Sequence, residues 1–201
     1  MPSALIEVPI KPVPSSPPRK RWTRAECANL DASGFLVQQH LELIEGELID
    51  KKGKNRPHVN ALTLMQAWLL QVFGERFVNQ EAPIDVSPED NSSNEPEPDL
   101  IVLNRDFLSF RSANPGPQDL HLVVEVADTT LYFDLTAKAA LYARAGIAEY
   151  WVLDVSGRRL IVHRQPQSGK YLAILVYDEQ ESVAPLAAPH AMFKAAEAFP
   201  D

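Results

Sequence analysis

The stretch that most constrains this chain is His121-Leu-Val-Val-Glu-Val-Ala127. It has strand length and is rich in β-branched residues, so it predicts a buried central strand. In its middle stands one carboxylate, Glu125. Removing a lone carboxylate from water is expensive, so a base, a proton or a metal ion must compensate. Upstream, Pro98-Asp-Leu-Ile-Val-Leu103 reads as a second strand with Asp99 at its mouth. On neighbouring strands, Asp99 and Glu125 would make a paired-carboxylate site.

The 201 residues suffice for one domain with a sizeable core. A single cysteine, Cys27, forbids an internal disulfide and fits a reducing compartment. No apolar segment has signal-peptide or membrane-spanning character, so a cytoplasmic protein without membrane contact is expected. Net charge is −8. Residues 1–60 carry nine basic and seven acidic side chains, whereas residues 61–201 carry ten and twenty. That balance argues against non-specific nucleic-acid binding, although local basic patches can still meet phosphates.

Residues 1–20 hold six prolines and end at Arg19-Lys20. They read as a flexible arm, leaving residues 21–201 as one domain. Thr23-Arg-Ala-Glu26 is a capping box that opens a short helix. Leu41 to Ile49 alternates around Glu45-Gly46 and predicts a hairpin. Lys51, Lys52, Lys54 and Arg56 follow, either as a solvated loop or as phosphate contacts. Pro57 suits a helix start, and Val59, Leu62, Met65, Leu69 and Val72 recur at helical spacing before Gly74. His58, in the first turn, is expected to be exposed and structural. Residues 76–86 read as a strand and residues 87–98 as a loop. Beyond Glu125 a helix is expected over Leu135–Ala145, then a buried strand over Ala148–Asp154. A final hairpin should turn at Gly169, and residues 191–199 could form a short helix.

Leu135, Lys138, Tyr142 and Ala145 share one helix face, with Asp134 one turn before Lys138. If that helix packs back on the sheet, Lys138 points at the mouth where Asp99 and Glu125 meet. Two carboxylates can hold a hard divalent cation with waters completing its shell. The cation would acidify a bound water and neutralise a phosphate. The lysine would orient the water and stabilise developing charge. The competing reading is a structural ion pair between Glu125 and Lys138.

Taken together, these motifs resemble the Uma-type family of restriction-endonuclease-like proteins, within the PD-(D/E)XK nuclease superfamily. The resemblance rests on Leu41-Glu-Leu-Ile-Glu-Gly-Glu-Leu48, Glu97-Pro-Asp-Leu100, Leu122-Val-Val-Glu-Val126, Asp134 with Lys138 and Tyr142, and Ala145-Gly-Ile-Ala-Glu-Tyr-Trp-Val-Leu-Asp154. It implies an α/β fold with a restriction-endonuclease-like αβββαβ core: a mixed central sheet flanked by helices, with an added N-terminal helix and hairpins. It further implies Mg²⁺-dependent hydrolysis of DNA phosphodiesters, with Mn²⁺ as a substitute ion, and dimers are common in the class.

Asp99 and Glu125 would be the metal ligands and, with Lys138, the catalytic set. Asp134, Tyr142 and Glu47 would support it, with Glu42 the alternative to Glu47. The superfamily lysine usually stands two residues after the acid, where this chain has Ala127. Lys138 would then reach the site from the following helix. Two other readings stand beside this one: a non-catalytic nucleic-acid-binding or protein-interaction module, and a hydrolase of small phosphate esters.

Overall fold

The structure is a computed structural model that describes residues 19–36, 39–51 and 55–199. The proline-rich stretch up to Pro18 therefore lies outside the described residues, as do Lys52 and Lys54. Helix α1 spans Arg24–Ala32, and its capping box closes as predicted between Thr23 and Glu26. A hairpin of β1 (Leu41–Ile44) and β2 (Glu47–Asp50) follows, then helix α2 (Arg56–Phe73). The central sheet runs β3 (Val78–Gln80), β4 (Leu100–Leu103), β5 (Leu120–Ala127), β6 (Glu149–Asp154), β7 (Arg159–Gln167) and β8 (Lys170–Tyr177), in that spatial order.

The β5–β6 pair is parallel and every other pair in this sheet is antiparallel. A parallel pair needs a crossover, and helix α3 (residues 131–145) supplies it. The order α2-β3-β4-β5-α3-β6 is the expected αβββαβ core. A small ladder of β9 (Ser182–Val183) and β10 (Phe193–Lys194) closes the chain.

Each face of the sheet carries its own core, which explains why β5 is apolar almost throughout. Leu122, Val124 and Val126 face α2 and the C-terminal segment, together with Trp151 and Phe193. Val123 and Ala127 face α3 with Tyr142, Tyr150 and Val152. Alternation puts Glu125 on the α3 face. Trp68 stacks on Trp151 at 6.2 Å and belongs to the first core.

Three elements differ from expectation. The strand expected over residues 76–86 keeps only Val78–Gln80. Glu81 adopts φ 48°, Pro83 cannot donate to a ladder, and Ile84 and Asp85 donate instead to Pro96 and Pro115 carbonyls. The helix expected over residues 191–199 is a two-residue strand and a short 3₁₀ turn, Ala195–Ala198. Phe193 is buried 4.8 Å from Trp68, and Ala195 and Ala196 donate to carbonyls of Glu181 and Glu179 rather than along a helix.

Helix α3 starts at Leu131, a turn earlier than expected, and contains a π-turn over Asp134–Lys138 before its last α segment, Ala139–Ala145.

Candidate active site

Glu125 is 3% exposed, and two side chains of α3 reach it. Lys138 Nζ donates to Glu125 Oε1 at 2.8 Å, and Tyr142 OH donates to the same oxygen at 3.0 Å. Their spacing of four residues stacks them on one helix face. The lysine is shared, because Glu42 Oε1 lies 2.8 Å from Nζ and Asp134 Oδ1 lies 4.0 Å away. The β4–β5 register pairs Leu100 with Val124, which brings Asp99 level with Glu125. Asp99 Oδ2 accepts the Val126 N–H at 2.8 Å. His58 Nε2 stands 3.8 Å from Asp99 Oδ1.

Glu42, Lys51, His58, Asp99, Glu125 and Lys138 all line one cavity of about 190 Å³. The first turn of α2 forms one wall and the β1–β2 hairpin another. Asn55 caps α2 by accepting from His58 N–H, which fixes that turn and the imidazole it carries.

Charge in this cluster is unbalanced. Burial pushes the Glu125 carboxyl well above its ordinary value; Lys138 opposes the shift, and Asp99, Asp134 and Glu42 reinforce it. Burial likewise raises Asp134 to about 6, against the pull of Lys138 and of the Thr130 hydroxyl that donates to it. Burial alone would lower Lys138, but Glu125, Glu42 and Asp134 outweigh it and hold the ammonium charged. Three acids thus press on one fixed cation, with Asp99 beside Glu125, and a shared proton or a further cation relieves the excess.

The hairpin decides which of its acids takes part. Glu42 is 4% exposed, and its Oε2 accepts the Glu97 N–H. Glu47, the expected supporting acid, is not in the cavity. It sits beside the turn, half exposed, and pairs with Arg21 at 2.9 Å. The turn itself needs left-handed backbone at Glu45 (φ 51°) and Gly46 (φ 73°). It is anchored by Asn94, whose Oδ1 accepts the Glu45 N–H.

Two further expectations change. His58 was read as exposed, yet its side chain is 13% exposed and faces Asp99. The N-cap Asn55 and Pro57 flag a helix start in the sequence, but not that this helix end docks against Asp99. Lys51 was read as either a solvated loop residue or a phosphate contact; it is not solvated, because its Nζ donates to the Glu97 carbonyl at 2.6 Å and its side chain is 13% exposed. It braces the loop before Asp99. Arg56, the last of that basic run, is exposed.

Not every buried acid is of this kind. Glu149 takes Trp151 Nε1–H, Arg164 and the Leu186 N–H, so its charge is spent on holding β6, β7 and the C-terminal segment together.

Comparison with known proteins places this geometry in context. No curated protein matches the chain. A crystal structure from Anabaena variabilis, described as a "putative nuclease belonging to DUF820", superposes with a TM-score of 0.59 at 16% identity. The match covers 79% of this chain and 89% of that one, and it establishes a shared fold. The sequence model of the Uma2 family, whose description reads "Putative restriction endonuclease", matches residues 34–195. With the match spanning most of its length, the chain belongs to the Uma2 family.

Proposed function

We propose that this chain is a divalent-metal-dependent endonuclease that hydrolyses DNA phosphodiester bonds, using Mg²⁺ or Mn²⁺. The observation that carries the reading is the convergence of Glu42, Asp99, Glu125 and a permanently charged Lys138 on one cavity. The donor set suits a hard cation: the ligands are carboxylate oxygens, and their charge exceeds what Lys138 cancels. Among the described residues no three acidic, histidine or cysteine side chains form a closed metal cage. Mg²⁺ is commonly held by one or two carboxylates plus water and substrate phosphate, so Asp99 and Glu125 are the pair to test. A cation bound there would neutralise phosphate charge and supply a more acidic water.

The chain's own residues divide the remaining work. The Val126 N–H fixes one oxygen of Asp99. Tyr142 and Lys138 fix Oε1 of Glu125. Lys138 presents a charged N–H donor at the cavity, suited to orienting a water and to stabilising charge on the phosphate oxygens. Glu42 and Asp134 keep that lysine protonated. Arg56, exposed in the first turn of α2, offers a phosphate contact.

The test is Glu125→Gln, which keeps shape and removes charge. It should abolish Mg²⁺-dependent nicking of supercoiled plasmid while circular dichroism stays that of the parent. Cleavage by the variant within tenfold of wild type would remove Glu125 from the mechanism. The second reading, a non-catalytic module on the same scaffold, is favoured by the net charge of −8 and by the closeness of the Glu125–Lys138 ion pair. It predicts DNA binding, or none, without turnover under any divalent ion.

A further inference from the structure

The reacting groups sit at the bottom of a recess rather than on an open surface. Glu125 and Lys138 are each 3% exposed, Glu42 4% and Asp99 5%. The cavity they line holds about 190 Å³. That is about six waters' worth of space, enough for one base and far too little for a base pair with its sugars. Part of its lining has no part in the hydrolysis. Ile49 of the hairpin and Phe133 of α3, both half-buried, pack on the same small core of Ile44, Val86 and Leu141 and give the cavity an apolar wall. Asp50, exposed, lines it as well.

A phosphate gains nothing from an apolar wall and is repelled by a further carboxylate. A sugar and a base gain from both. Their rings bury apolar surface against Ile49 and Phe133, and the exocyclic amino group of a base can donate to Asp50. The lining therefore suits a whole nucleotide whose phosphate follows it towards Asp99 and Glu125. Within a double helix the base is held in the stack, and its nucleotide enters such a recess only after leaving it. Charge points the same way. A duplex presents one negative charge per about 1.7 Å of axis, a single strand one per about 3.4 Å, and this chain carries a net charge of −8.

We propose that this cavity takes an unpaired nucleotide, so that the substrate is single-stranded DNA, or a bulge or opening in a duplex, rather than a continuous double helix. The proposal rests on the reading of the cavity as the nucleic-acid site and narrows it. Negatively supercoiled plasmid meets the requirement, because supercoiling favours local strand opening. The same plasmid, linearised, does not.

The test compares three labelled substrates of one sequence, each with Mg²⁺ and with Mn²⁺: a single strand, a fully paired linear duplex and a duplex with one bulged nucleotide. The single strand should be cut roughly a hundredfold faster than the paired duplex, the factor that unpairing costs. The bulged duplex should be cut at its bulge. Binding is read apart from cleavage, by fluorescence anisotropy in Ca²⁺, a hard cation for the same oxygen donors. There the single strand should bind about tenfold tighter than the duplex. Phe133→Leu keeps an apolar side chain and loses the ring. It should weaken single-strand binding about fivefold, with duplex binding and the circular dichroism spectrum unchanged. A paired linear duplex cut as fast as the single strand would overturn the proposal and leave the nuclease reading standing. No cleavage of any substrate, with the single strand still preferred and still sensitive to Phe133→Leu, would overturn the nuclease reading and support the unpaired-nucleotide site. Equal binding of both forms, untouched by Phe133→Leu, would overturn the site itself.

Discussion

Replacing Lys138 by Met removes, at nearly constant volume, the ammonium that Glu42 and Glu125 share at 2.8 Å each. Both acids and Lys138 are almost wholly buried, so water screens the lost charge poorly. The cluster can recover neutrality by binding one further proton. For a glutamate of ordinary value 4.5, holding a proton at pH 7 costs about 1.36 × 2.5 ≈ 3.4 kcal/mol. That lies inside the ~3–5 kcal/mol expected when a buried pair loses one partner. The sign follows from linkage. In the variant the folded-state carboxyl titrates above its unfolded value, so the penalty is absent below about pH 4.5 and grows as pH rises. At pH 5.5 it should shrink to about 1.4 kcal/mol. For a chain of this size the loss at pH 7 corresponds to a fall in Tm of roughly 7–14 °C. Urea unfolding in EDTA, followed through the fluorescence of buried Trp151, measures both values. A loss under about 1 kcal/mol at pH 7, or one that does not diminish at pH 5.5, would refute the view of Lys138 as the counter-charge of a closed acid cluster.

The other predictions concern separate parts of the molecule. His163 is 2% exposed between the rings of Tyr150 and Tyr171, and burial lowers its imidazole below 6.5. The unfolded chain therefore takes up its proton first, and stability falls by up to about 1.4 kcal/mol per pH unit below 6.5; His163→Phe should flatten the unfolding profile between pH 7 and 5. Gly46→Ala should cost about 1–2 kcal/mol in thermal unfolding, because Gly46 has φ 73° and an added Cβ would lie 3.0 Å from Arg21 Cβ. An unchanged Tm there would mean that the turn relaxes freely. Arg56→Ala should lower the salt slope of DNA binding by about one unit, and an unaltered slope would return Arg56 to the solvated surface.

Much of the fold was legible because its signals are local. The capping box at Thr23, the hairpin turn at Glu45-Gly46 and the apolar runs of β4, β5 and β6 each announce themselves within a few residues. Lys138 and Tyr142 were legible as partners of Glu125 because their spacing puts both on one helix face, four residues apart. Glu42 was harder to choose over Glu47. In this hairpin Ile44 opposes Glu47 and Glu42 opposes Ile49, so both acids have the same parity. Only distance from the turn separates them, and that is set by Asn94, far away in sequence. His58 was misjudged for a similar reason: first-turn residues are usually solvated, and the docking of α2 against Asp99 is a tertiary fact. The shortening of β3 depends on a left-handed Glu81, a conformation that glutamate does not advertise. Lys51 looked like one of a basic run, and only the fold shows its ammonium capping a carbonyl.

The π-turn in α3 has a consequence for how the helix is clocked. An α-helix advances about 100° per residue, so one surplus residue shifts the phase of everything on one side of it. The later half of α3 is fixed by its apolar contacts at Ala139, Tyr142 and Ala143. The earlier half is fixed by Asp134, whose carbonyl accepts Tyr150 OH and whose carboxylate accepts the Thr130 hydroxyl. An uninterrupted helix would have to give up one of these two alignments. Deleting a single residue between Leu135 and Ala137 would leave a regular helix and an intact sheet. It would swing Asp134 by about a quarter turn, out of step with Lys138. The acid cluster would then fail through a phase error alone, with every one of its side chains still present.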